Sequence, residues 1–256
     1  MENIDTERTV SAPLRVAVLG AGGRVGRAVS REFVARGHAV LGVVRDERRH
    51  AGLRELGLDL AEADVTRGAD LVGVLGTADV VVLAVTPFTA PPPTFDGFDE
   101  AYYEHVVRAV AGATRPEPPV RLLTIGLFAT LPLTAGARVM DDADLFPPPL
   151  LPFARAHDRV LPALRRHGGA LDWLIVTPPA GLGPEAAADG RGPVLARPPV
   201  GRDQATGALG HDQFARAVAD QAENPTFHRA QVAVVPASAS ASASPVRSPD
   251  PGGPGA

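Results

Sequence analysis

The chain contains no cysteine and no lysine; its 25 basic residues are all arginine. The first absence excludes disulfides, thiolate metal sites and a cysteine nucleophile. The second closes every mechanism that requires a lysine. Aromatic residues make up only 5% of the chain, with two tyrosines, Tyr102 and Tyr103, side by side. No uninterrupted apolar run approaches the roughly 18 residues that span a bilayer, and Met1 to Pro13 is polar and lacks the apolar centre of a signal peptide. The net charge of -4 comes with no basic block, so neither nucleic acid nor an anionic membrane surface is an expected partner. A cytoplasmic protein acting on a small molecule is the expectation; nothing here indicates an oligomeric state.

What is present begins with Val16 to Arg45. An apolar run leads into Gly20-Ala21-Gly22-Gly23-Arg24-Val25-Gly26, an amphipathic segment follows, and Ala39 to Val44 is a second apolar run. This is a strand, a glycine-rich turn, a helix and a strand. Gly20 turns the chain sharply, Gly22 leaves bare main chain where a pyrophosphate approaches, and Gly26 lets the helix pack closely on the strand. The N–H groups at the helix start, around Gly23, Arg24 and Val25, face the phosphates. Arg45 is the first residue past the second strand, where an arginine pairs with the 2′-phosphate of NADP and a carboxylate with the ribose hydroxyl of NAD. Arg45 therefore favours NADP(H) over NAD(H), with Asp46 next to it as the competing group.

The remainder reads as alternating strands and helices: Leu58–Val65 ending at Asp64, a helix from Arg67 to Leu75, Asp79–Val85, a helix from Glu100 to Ala113, and Val120–Ile125. A helix kinked at Pro162 over Pro152–Arg166 follows, then Leu171–Val176, a helix over His211–Glu223 and a strand over Ala230–Val235. Asp64 and Val65 close a strand where a carboxylate and a backbone group can meet an adenine; Asp64 can also cap the helix after it. Thr86 opens a proline-rich loop bordering the expected crevice, and Thr177-Pro178-Pro179 stands over the nicotinamide end. Residues 181 to 208, rich in Gly, Pro and Ala, read as a long loop or lid. The carboxylates Asp141, Asp142 and Asp144 have no interleaved histidine, and a solvated loop is the expectation there, with no metal. The Ala-Ser repeat and Pro/Gly run after Pro236 cannot bury apolar surface. The organisation is thus an arm at 1–13, one α/β domain at 14–235 with a doubly wound, mostly parallel sheet, and a tail at 236–256.

The glycine turn, Val43-Val44-Arg45-Asp46, Ala63-Asp64-Val65-Thr66 and Leu171-Asp172-Trp173-Leu174-Ile175-Val176-Thr177-Pro178-Pro179 resemble, in order, the atypical short-chain dehydrogenase/reductases of the NmrA-like and biliverdin/flavin-reductase-like branch. The resemblance implies a Rossmann-type fold with helices on both faces and a bound NAD(P)H. Better-known members of the superfamily use a Tyr-x-x-x-Lys pair; here Phe153 and His157 fall at those positions, and Phe153 cannot transfer a proton. Three functions follow: an NADPH-dependent reductase of a small planar or carbonyl acceptor, a dinucleotide sensor without turnover, and an NAD-retaining epimerase or isomerase. His157, with an ordinary pKa near 6.5, is the candidate acid or base, and Thr124 is the candidate group to orient a substrate carbonyl.

Overall fold

The computed structural model describes residues 12–88, 90, 92–184 and 192–236. The arm at 1–13 and the tail at 236–256 lie, apart from residues 12, 13 and 236, outside the described residues.

The short Val/Leu/Ala runs become the strands β1 (Arg15–Leu19), β2 (Ala39–Val44), β3 (Asp59–Glu62), β4 (Val80–Leu83), β5 (Arg121–Ile125) and β6 (Asp172–Thr177). With β7 (Gly181–Gly183), β8 (Val194–Ala196), β9 (Ala208–Gly210) and β10 (Ala230–Val235) they form two sheets. The large sheet has eight strands in the order β3-β2-β1-β4-β5-β6-β10-β8, and only the β10–β8 pairing is antiparallel. The short strands β7 and β9 pair apart from it.

Among the described residues seven α-helices accompany the strands: α1 (Arg24–Ala35), α2 (Gly68–Leu75), α3 (Tyr102–Ala113), α4 (Leu151–Asp158), α5 (Val160–His167), α6 (Arg202–Thr206) and α7 (His211–Glu223). Side chains of a strand alternate between faces, and β1 shows the result. Val16 and Val18 join Val29 and Phe33 of α1 and Phe214 and Val218 of α7, whereas Ala17 and Leu19 join Leu71 of α2, Val106 and Val107 of α3 and Leu164 of α5. Both faces are covered, which is why Val80 to Leu83 is continuously apolar and entirely buried. Each such leucine or phenylalanine removed from water contributes roughly 1.5–3 kcal/mol.

One polar cluster joins the beginning of the domain to its last helix. Arg36 pairs with Glu223 at 2.6 Å and Glu32 at 2.8 Å, and the buried His38 accepts the Leu14 N–H at Nδ1 while its Nε2 lies 2.9 Å from Glu223. Burial alone would raise the Glu223 carboxyl. The hydrogen bonds from Arg36 and His38 outweigh it and hold the group below its usual range.

Four local expectations are corrected. The break in the Pro152–Arg166 helix falls at Arg159, between α4 and α5, and not at Pro162. Proline lacks the N–H that would reach the carbonyl four residues back, and its ring crowds that carbonyl, so the interruption lies upstream of it. Strand β3 stops at Glu62 because the Asp64 side chain accepts the Thr66 N–H at 2.9 Å and its hydroxyl at 2.7 Å, turning the chain out of the sheet. That carboxylate does not cap α2, whose first flanking residue is Arg67 with no side-chain cap. Within 181–208, β7, β8 and α6 replace the expected long loop, with residues 185–191 outside the described residues.

Candidate functional site

Strand β1 lies between β2 and β4, so the sheet order reverses beside it. The chain leaves the carboxyl end of β1 toward α1 on one face, while the segment after β4 leads to α3 on the other. Such a divergence opens a crevice at the carboxyl ends of the strands.

The glycine turn fills the β1 side of that crevice. Gly20 has φ +86°, and a Cβ there would lie 2.5 Å from the Ala84 carbonyl oxygen. A Cβ on Gly26 would lie 2.1 Å from the Gly20 oxygen, so α1 can sit this close to the turn only with glycine at that position. The turn is locked by Gly20 N–H to Val43 O and Gly23 N–H to Gly20 O, at 2.9 and 3.0 Å. Helix α1 starts at Arg24 with no side-chain cap and no acidic residue in its first turn. The N–H groups of Arg24, Val25 and Gly26 therefore have no intrahelical acceptor, and the helix dipole adds positive potential at that end. Arg24 is exposed and Val25 half-buried.

At Gly22 the structure adds a neighbour the sequence did not suggest. A Cβ there would meet the His50 imidazole, 2.4 Å from Cε1 and 2.7 Å from each ring nitrogen. The space above this glycine is occupied by the chain's own side chain.

Arg45 is exposed at the end of β2. Asp46, its competitor, is engaged locally: Oδ1 accepts the N–H groups of Arg48 and Arg49 at 3.0 and 3.2 Å, and Oδ2 lies 3.2 Å from the Arg49 guanidinium. Arg45 makes no salt bridge among the described residues. Its charge reaches Asp64 and Tyr102. The hydroxyl and N–H of Thr66, with a smaller contribution from Arg67 and Arg45, hold the Asp64 carboxyl below its usual range. Burial raises the Tyr102 phenol, with Arg45 opposing and Asp64 adding. Arg45, Asp64 and Tyr102 thus converge from β2, the end of β3 and α3, with the Val65 side chain buried in the core beneath.

Beyond β4, Thr86 is exposed and its hydroxyl donates to the Phe88 carbonyl, closing a local turn. From there an aromatic cluster extends across the α3–α4 side. Phe88 lies 4.9 Å from Phe153 and 6.0 and 6.2 Å from Phe95 and Phe98, centroid to centroid. Phe153 in turn lies 4.8 Å from His157, and His157 lies 4.0 Å from Tyr103. Tyr103 is buried and its hydroxyl donates to the Val85 carbonyl at 3.3 Å. These rings come from three segments, so spacing alone could not group them; their positions in loops and at helix starts were the only signal.

His157 changes character in this setting. Burial pushes its pKa down to about 3, and its Nδ1 has no hydrogen-bond partner. The expectation of an imidazole titrating near neutrality is corrected: the ring is neutral there and has no acidic proton to give, because no charge compensates its desolvation. Thr124 is also buried, with Oγ1 unpartnered, on the β5 face that carries Leu122. Thr177, at the end of β6, is fully buried; Gln231 Nε2 lies 3.4 Å from its hydroxyl and 3.3 Å from that of Thr130. Gly126 makes this possible, since a Cβ there would stand 2.4 Å from the Thr177 oxygen. Among the acidic residues after β5, Asp141 pairs with Arg138 and Asp142 with Arg202.

Residues 20–225 match the NAD(P)H-binding family. The chain is 30% identical over 100 residues to the Photosystem II assembly factor Ycf39 of Synechocystis sp.; the match is 39% of this chain and 31% of that protein, about a third of its length. Among solved structures, a Streptococcus pneumoniae protein named as an NADH-flavin reductase superposes with TM-score 0.67 at 22% identity, over 87% of this chain and 99% of that one. A Bacteroides thetaiotaomicron protein named as an epimerase gives 0.69 at 23%, over 87% and 97%. An Escherichia coli O157:H7 anaerobilin reductase gives 0.60 at 15%, over 86% and 96%. At these identities the structures share the Rossmann-type fold with this chain.

Proposed function

This chain belongs to the NAD(P)H-binding family, and on that premise we propose that it is an NADPH-dependent reductase of a small planar or carbonyl-bearing acceptor. The observation that carries the cofactor choice is the division of labour after β2: Asp46 is spent on the N–H groups of Arg48 and Arg49 and on the Arg49 guanidinium, while Arg45 keeps its charge for a ligand. Gly20, Gly23, Gly26 and the uncapped start of α1 suit a diphosphate. Gly22, Arg24 and Val25 complete that turn, Asp64 and Val65 border the adenine end, and Thr86 and Thr177 border the nicotinamide end. A bound reduced nicotinamide supplies hydride.

The protein's own part is then position. The half-buried faces of Phe88, Phe95, Phe98 and Phe153 offer rings against which a planar acceptor stacks. With Phe153 apolar and His157 neutral, the reduced product takes its proton from solvent. These same two residues favour a second reading, an NADP-binding sensor without turnover, because neither supplies the proton that a carbonyl reduction consumes.

Binding and turnover separate the readings. NADPH is expected to bind more tightly than NADH, with Arg45→Ala reducing the difference at least tenfold, about the worth of one charge-assisted contact. Equal affinities in the unsubstituted protein would sink the Arg45 assignment. Oxidation of NADPH by a flavin, quinone or aldehyde supports the reductase; tight binding of both cofactor redox forms with no turnover across such a panel supports the sensor.

A further inference from the structure

We propose that His50 is a second ligand for the phosphate on the adenosine ribose of an NADP-type dinucleotide, standing in the space that the absent side chain of Gly22 leaves. The inference rests on the NADPH reading above and assigns that phosphate a partner besides Arg45.

The geometry comes from the neighbouring strand, β2. The Gly20 N–H to Val43 O bond ties the glycine turn to the end of β2, so Arg45 and Gly22 flank one corner of the crevice. After β2 the chain makes a tight helical segment, Arg48–Leu56, whose backbone departs from helical values at one residue, His50, with φ -121° and ψ 16°. That departure turns the chain so that the imidazole returns onto the glycine turn. Cε1 lies nearest the missing Cβ of Gly22 with both nitrogens 0.3 Å farther off, so the ring meets the turn with Nδ1 and Nε2 on either side of its contact point. Neither nitrogen has a hydrogen-bond partner among the described residues.

The charges nearby are arranged for an anion. Three carboxylates near this segment are engaged, Asp46 by the Arg48 and Arg49 N–H groups, Glu47 by Arg54 at 2.6 Å, and Glu62 by the Glu47 N–H at 3.2 Å, while Glu55 makes no salt bridge among the described residues. Arg45 and Arg48 make no salt bridge among the described residues. From Arg45 to Leu56 four arginines stand against three carboxylates, and a ribose phosphate has more oxygens than one guanidinium can satisfy in its two-pronged geometry. An imidazole N–H at Gly22 supplies a further donor. Glycine at position 22 is accordingly half of a pair, since any side chain there would take the place of the ring.

The test is equilibrium titration of NADPH and NADH, followed by cofactor fluorescence, on the full chain and on His50→Ala, Gly22→Ala and the double variant, each first shown to keep its circular dichroism spectrum. His50→Ala is expected to weaken NADPH at least tenfold, the usual worth of a hydrogen bond to a charged group, and NADH less than about twofold. Gly22→Ala drives the ring out and should weaken NADPH at least as much, with a part shared by NADH because the same glycine borders the diphosphate. The double variant should be no worse than Gly22→Ala alone, because the imidazole contact is already lost there. Tighter binding of both cofactors by His50→Ala would overturn the proposal and make the imidazole an obstruction. Equal weakening of both, or an unchanged NADPH affinity, would overturn it as well. In those cases the NADPH reading survives, since it fails only if the unsubstituted chain binds NADPH no better than NADH or binds neither, which would take the proposal with it.

Discussion

The imidazole of His157 stands 4.0 Å from the ring of Tyr103, centroid to centroid, and its Nδ1 has no partner in the buried space they share. Two expected consequences follow from that one arrangement, the first for stability and the second for any pH profile of turnover.

With the folded pKa near 3 and an unfolded value near 6.5, the unfolded chain binds a proton between those limits and the folded chain does not. Stability is therefore unaffected above about pH 6.5 and falls as the pH drops toward 3. The loss from this residue between pH 7 and pH 5 is roughly 2 kcal/mol at 1.36 kcal/mol per pKa unit. Urea unfolding at both pH values should show a smaller drop for His157→Phe, which keeps an aromatic ring and loses the titration. An identical drop in the variant would place the acid sensitivity elsewhere. For the same reason, turnover measured between pH 6 and 9 should keep its pH profile in His157→Gln.

A Cβ 2.1 Å from a backbone oxygen has no flexible neighbour to push aside, so Gly26 cannot be replaced without moving α1 or the turn. Gly26→Ala is expected to cost at least 2–3 kcal/mol of stability, in the range of overpacking and backbone displacement, and to lose cofactor binding. Gly23→Ala is the control: its nearest atom would be 3.4 Å away, and denaturation should show a change below about 1 kcal/mol. Equal effects of the two substitutions would contradict the packing argument.

Phe153 and Phe88 face each other at 4.9 Å, from α4 and from the loop after β4. Phe153→Ala and Phe88→Ala should raise the KM for a flavin or quinone acceptor several-fold, about the worth of a lost stacking contact, while NADPH affinity stays within about twofold. A weakened NADPH affinity with an unchanged KM would move these rings to the cofactor side.

Much of the fold was readable in the sequence because its signals are local. Apolar runs placed β2 and β10, and a helical stretch placed α7, at their observed limits, and the glycine spacing announced the turn before α1. What was not readable depends on distant partners. β8 is a strand because β10 lies antiparallel beside it, a pairing that the Gly/Pro-rich 181–208 stretch does not announce. Likewise, nothing in the spacing between positions 22 and 50 says that they touch. Thr124 was legible from its place near the end of a strand, and His157 from its place in the family resemblance. Their burial, which decides what each can do, came from the packing of α3 and α4 over the sheet.

The cluster of Arg36, His38 and Glu223 has a consequence for how the domain is assembled. Helix α1, which carries the glycine turn, is packed against α7 by Phe33 and Phe214 and tied to its last residue by Arg36. Its binding turn is therefore finished only when the far end of the domain arrives. A chain cut before His211 would contain every glycine of the turn and still leave one flank of α1 in water, so ligand affinity in this protein serves as a readout of whether the whole domain has closed.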